Sequence, residues 1–152
     1  MATWPDTTES LPPGDHPYGV ALWLLGRHEQ LAELVDRLPG VVSIEGGELG
    51  LELDVLASAF AEYDAFQAAR EERFGWSTPD ESAWERWHAS LPKRSAATDE
   101  LLVMSGSELG RLRLLATLSG AGARLSIGHH LRSFDAEGQR LLGDWLDAVR
   151  QG

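Results

Sequence analysis

Val20-Ala-Leu-Trp-Leu-Leu25 is an unbroken apolar run closed by Gly26, and its reading decides what kind of fold the chain opens with. A run this short carries no usable period, so spacing alone cannot say strand or helix. In one reading Pro17 is the first residue of a single long helix that runs to Leu38. In the other the run is a short buried strand, Gly26 ends it, and the helix covers Arg27 to Leu38. Gly26 favours strand then helix. Leu31, Leu34, Val35 and Leu38 form the packed face in both, and Pro39-Gly40 stops the helix.

Downstream, Val41-Val-Ser-Ile-Glu45 and Glu48 to Asp54 read as two strands joined at Gly46-Gly47, a hairpin signal. Leu49, Leu51 and Leu53 share one face of the second strand. Glu48 and Glu52 share the other, and with Glu45 they predict an acidic outer face. A helix follows from Asp54, a candidate N-cap, to a stop at Gly75. Its apolar stripe is Val55, Leu56, Ala59, Phe60, Tyr63 and Phe66. The first half then runs strand, helix, strand, strand, helix. That order resembles the opening of a ferredoxin-like α+β sandwich, a topology many small regulatory ligand-binding domains share. The expected fold class is therefore α+β: a two-layer sandwich of helices on a small, mainly antiparallel sheet. Residues 1–16, broken by Pro5, Pro12, Pro13 and Gly14, read as an irregular tail, and 17–152 as one domain.

The second half opens on a tryptophan helix. Thr78-Pro79-Asp80-Glu81 offers a capping hydroxyl, a proline at the first helical position and a following glutamate. Trp84, Trp87, His88 and Leu91 share a face, and Pro92 ends it. Trp76, Trp84 and Trp87 lie close together, and each ring can bury about 150–250 Å². They either close the core or line a groove for a ligand or partner, tryptophan being favoured at binding hot spots. Beyond a polar linker from Lys93 to Asp99, Leu101 to Met104 reads as a strand. Residues 106–119 fit a helix, with Ser105 and Glu108 as a capping box, although Leu112, Leu114, Ala116 and Leu118 also alternate as a strand would. Ala123 to Leu131 reads as a strand. A last helix capped by Asp135 carries Leu141, Leu142, Trp145, Leu146 and Val149.

Charge is unevenly placed. The net of −11 resides in residues 1–72, with 14 acids and 3 arginines, while 73–152 balance 10 acids with 10 bases. Such a surface repels phosphates, so nucleic acid is not an expected partner, whereas a basic protein surface would be attracted. The same asymmetry also arises if the acidic half pairs with the arginines of the other half. With no cysteine, disulfides and thiolate metal sites are excluded. No apolar run approaches the roughly 18–20 residues a membrane span needs. Met1 to Ser10 shows neither a basic nor an apolar leader region, so the cytoplasm is the expected compartment.

Catalytic and cofactor signatures are missing: no phosphate-binding loop, no dinucleotide fingerprint, no His-Glu-x-x-His and no Gly-x-Ser-x-Gly. No cofactor and no metal site are expected. His130, with Arg124 and Arg132 on the outward face of the 123–131 strand, could form an anion site, joined by Arg111 or Arg113. His28 reads as a boundary histidine between Leu24 and Leu31. The leading expectation is a non-catalytic binding or regulatory protein that works through a protein partner, a second copy of itself included. Trp76, Trp84, Trp87, His88, Arg124, His130 and Arg132 are its candidate contact residues. A small-ligand sensing domain is the alternative. An enzyme built on a histidine–carboxylate pair is the third reading, with His88 or His130 as the base.

Overall fold

Residues 17–27 are helical, so the opening strand of the expected sandwich does not exist. The structure is a computed structural model and describes residues 4, 17–118 and 136–151. Its elements are α1 (Pro17–Arg27), α2 (Glu29–Asp36), β1 (Val42–Glu45), β2 (Glu48–Leu51), α3 (Leu53–Phe74), α4 (Glu81–Ser90), α5 (Ala96–Leu102), α6 (Gly106–Leu118) and α7 (Ala136–Gln151). Among the described residues the sheet has two strands and everything else regular is helix. The α+β sandwich in ferredoxin-like order is thereby overturned in favour of a helical fold with one hairpin.

The physical reason lies in how many neighbours cover 21–25. α1 packs against α2, α6 and α7, and Ala21, Trp23, Leu24 and Leu25 are all buried. A helix enclosed on nearly every side needs no polar face and shows no amphipathic period. Gly26 sits in its last turn without ending the helical hydrogen bonding. The His28 N–H donates to the Leu24 carbonyl at 3.0 Å, and the His28 carbonyl accepts from the Ala32 N–H at 3.0 Å. His28 itself is extended (φ −120°, ψ 93°), which places a bend between α1 and α2.

The hairpin forms where its turn residues require it. Gly46 and Gly47 both have positive φ, 59° and 83°, a conformation two-residue hairpin turns demand and glycine adopts without penalty. Val42 pairs with Leu51, Ser43 with Gly50, Ile44 with Leu49 and Glu45 with Glu48. Leu51 is buried, and its N–H donates to the Tyr18 hydroxyl at 3.1 Å, tying the sheet edge to α1. Glu45 and Glu48 stand directly opposite each other, an arrangement that repels. Glu52 lies beyond the strand at the N-cap position of α3, so the predicted acidic face is a two-residue tip plus one helix-end residue. No group of three metal-ligating side chains occurs among the described residues.

The strand read at Leu101–Met104 is the last turn of α5 and the bend after it, where the Met104 N–H donates to the Leu101 carbonyl at 3.2 Å. The strand read at 123–131, and Asp135, lie outside the described residues.

α6 is the centre of the molecule. Arg111 to Ala116 are all buried, and α1, α2, α3 and α7 pack around them. Its start is the capping box the sequence predicts. The Glu108 N–H donates to Ser105 Oγ at 3.3 Å, and the Ser105 N–H donates to Glu108 Oε1 at 2.9 Å. Two buried arginines are tolerated because each is satisfied at its head. Arg111 donates to Gln30 Oε1 at 2.7 Å, and Arg113 holds both carboxylate oxygens of Asp64 at 2.7 and 3.1 Å. Trp4 is buried in the same core. No described helix is long and apolar enough to cross a membrane.

Candidate functional site

α3 runs for 22 residues, further than the core needs. Leu56, Ala59 and Phe60 belong to the core, while Phe66 and Phe74 lie past it. α4 folds back onto this outer part. Its start is fixed by Asp80, whose carboxylate accepts from the Ala83 N–H at 2.7 Å. The cap is thus two residues later than the Thr78 hydroxyl suggests, because a carboxylate is an equally good acceptor at the N-cap.

None of the residues of α4 is fully buried. Its hold on α3 is aromatic. Trp87 lies 5.3 Å from Phe66, 5.3 Å from Phe74 and 5.3 Å from Trp84, and Trp84 meets Phe66 edge-on at 6.3 Å. Each such pair contributes about 0.5–1.5 kcal/mol beyond area burial. Arginines lean over the rings: Arg70 over Trp84 at 5.3 Å, Arg73 over Phe74 at 5.2 Å and Arg94 over Phe66 at 4.9 Å. The three singled-out tryptophans therefore divide. Trp84 and Trp87 build the arm, half-buried. Trp76, in the turn between α3 and α4, is 96% exposed.

Two hollows flank the arm. One, of about 280 Å³, is lined by Glu62, Ala65, Phe66 and Ala69 of α3 and by the chain from Leu91 to Arg94. The other, of about 320 Å³, lies beside Trp76 and is lined by Gln67, Arg70, Glu71 and the turn itself. The sequence reading missed the first. Its signal was small residues, Ala65 and Ala69, at helical spacing opposite an extended Leu91-Pro92, and the stripe Phe66, Arg70, Phe74 marked where α4 would land.

His88 is exposed at the arm's edge. Arg94 Nη2 lies 3.0 Å from its Nε2, and because a guanidinium can only donate, that nitrogen accepts. His88 therefore faces a cation here. Among the described residues the histidine that meets a carboxylate is His28, with Nε2 at 2.8 Å from Asp144 Oδ2, while Arg27 Nε reaches the same oxygen at 3.5 Å. The cavity beside this pair, lined by His28, Gln30, Leu31, Arg111 and Leu141, leaves no room for a water-sized molecule. The pair ties α7 to the bend between α1 and α2.

Arg124, His130 and Arg132 lie outside the described residues. Of the arginines suggested to join them, Arg113 is already held by Asp64 and lies over Phe60 at 4.8 Å. Arg113 with Asp64 pairs an acid of the acidic half with an arginine of the other half, while Arg37 with Glu100 and Glu108 pairs the two halves in the opposite sense. No protein family, curated protein or solved structure matches this chain.

Proposed function

We propose that the chain is a non-catalytic binding protein that docks a protein partner on the aromatic arm. The observation that carries this reading is Trp76, a large aromatic ring 96% exposed on an arm whose other tryptophans are already committed to packing. Exposing an indole is costly to solubility and useful at an interface, where tryptophan and arginine dominate the energy. The arm itself is charge-neutral, since residues 65–94 carry five acids and five bases. The net charge of −11 thus resides in the rest of the chain, and the arm itself sets no net charge against a partner of either sign. The compartment we assign with this reading is the cytoplasm.

The test is capture of the tagged full chain and of its Trp76→Ala variant from the native host, read by intact mass. A stoichiometric protein held by the parent chain and lost from Trp76→Ala is the expected result. A partner retained equally by both would remove the arm from the contact, and a bare chain would turn the assignment towards small-ligand sensing.

A further inference from the structure

We infer that the hollow between α3 and the Leu91–Arg94 chain receives an acidic amphipathic peptide segment of the partner, with one apolar side chain on Phe66 and a neighbouring carboxylate on Lys93. The inference rests on the docking reading above and names what the partner must present.

Shape sets the scale. Glu62 to Ala69 is eight residues of α3, seven rises or about 10 Å at 1.5 Å per residue. That length matches about three residues of extended chain or two turns of helix. Ala65 and Ala69 leave the depth, Phe66 forms the floor, and Leu91 and Pro92 form the far wall, enclosing about 280 Å³. A large apolar side chain of leucine to tryptophan size fits within this space, so the slot suits one anchor of a peptide.

Charge sets the sign. The slot has three charged residues. The Glu62 carboxylate already accepts from the Ser95 N–H at 3.1 Å, which pins the chain at the end of the slot. Arg94 is held by Asp99 at 3.2 Å and by His88 at 3.0 Å. Lys93, the sole lysine of the sequence, is exposed and has no carboxylate partner among the described residues. The backbone N–H groups of Lys93 and Arg94 likewise have no acceptor among the described residues. At Lys93 the rim thus offers donors and positive charge, while at Glu62 one oxygen already accepts from the Ser95 N–H. A basic group placed at Lys93 would bring donor against donor. A glutamate or aspartate beside the anchor would satisfy the rim, with charge-assisted hydrogen bonds from the ammonium.

The test uses a phage-displayed library of random twelve-residue peptides selected on the full chain. Expected are peptides pairing a large apolar residue with a nearby aspartate or glutamate. Their affinity, measured by fluorescence anisotropy, should fall about tenfold on Lys93→Glu, an exposed change that leaves folding intact. Replacing the peptide acid with lysine should restore binding to Lys93→Glu. A second variant, Ala69→Trp, fills the slot and should abolish binding, with circular dichroism confirming the helices. Peptides without an acidic preference, or insensitive to Lys93→Glu, overturn the charge assignment and leave arm docking standing. Peptides that bind Ala69→Trp unchanged overturn the slot. No enrichment overturns the inference outright, and the docking reading then stands or falls on Trp76→Ala capture.

Discussion

Phe60 and Phe66 lie six residues apart on α3, yet they belong to different kinds of structure. Phe60 is 1% exposed and is surrounded by the helices that enclose α6. Phe66 is 8% exposed, nearly as well hidden, but its cover comes from Trp84, Trp87 and Arg94. The core buries rings by enclosing them between several helices. The arm buries them by folding one short helix back onto another, with cations over the faces. Losing a contact in the core leaves a hole with packed walls. Losing one in the arm frees a helix that has no fully buried residue. A surface of the second kind can change shape or partner without endangering the fold, which is where a binding site is best placed.

The comparison breaks if the two rings matter equally. Phe60→Ala should cost about 3–5 kcal/mol, because the surrounding helices cannot collapse into the space. In thermal unfolding that corresponds to a drop on the order of 10 °C for a domain of this size. Trp84→Ala removes four ring contacts, to Phe66, Phe74, Trp87 and His88, all from a half-buried residue, and should cost about 2 kcal/mol. Trp76→Ala, with its ring in solvent, should stay within about 0.5 kcal/mol of the parent. Urea unfolding of the three variants gives the ranking. Equal losses at Phe60 and Trp84 would make the arm an extension of the core.

The boundary between the regions is sharpened at Asp64, where α6 reaches the middle of α3. Arg113 lies over Phe60 and Tyr63 and holds Asp64 through both oxygens. Asp64 is exposed, yet its removal strands a guanidinium that is only 9% exposed. Asp64→Ala should cost about 1.5–3 kcal/mol, the range for a hydrogen bond to a charged group. Adding Arg113→Met to Asp64→Ala should recover part of that loss, because an apolar side chain of similar length fills the site without an unmet charge. A double variant weaker than Asp64→Ala alone would show that the arginine stem matters more than its charge.

These regions also differ in how far the sequence revealed them. Elements fixed by local chemistry were legible. Gly46-Gly47 dictated a hairpin, Gly75 ended α3, and Ser105 with Glu108 started α6. The apolar stripe through Phe60 and Phe66 showed a helix but not that it changes neighbours between the two. Short runs without a polar residue were illegible. Residues 20–25 and 101–104 are apolar at every position, whether buried as at Leu24 and Leu101 or exposed as at Val103, so helix and strand patterns fit them alike, and that ambiguity turned a helical fold into an expected sandwich. The tryptophans marked the stretch that forms the arm, but how each packs depends on what α4 lands on. Phe74 supplies that landing and lies beyond the stripe that defined the helix. The slot was hidden for a related reason: alanines report space only when the opposite wall is known.

The smallest predicted effect probes the cap that begins α6. The Ser105 backbone N–H, joined by the Ser105 hydroxyl and the Arg37 guanidinium, holds the Glu108 carboxyl below its ordinary value of 4.5. The folded state therefore favours the charged form. The stability this contributes is fully present above the ordinary value and is lost as pH falls through the depressed one. Glu108→Gln keeps an acceptor for the Ser105 N–H and removes the charge seen by Arg37. At about pH 7 the variant should be less stable by about half a kcal/mol, the scale of an exposed cap and surface ion pair. As pH falls below the depressed value the difference should shrink towards zero, because the parent carboxyl then protonates and matches the amide in charge. Unfolding of both proteins across that range measures it. A gap that persists in acid would mean that the loss comes from geometry at the cap, and that the charge on Glu108 does little for the helix at the centre of the fold.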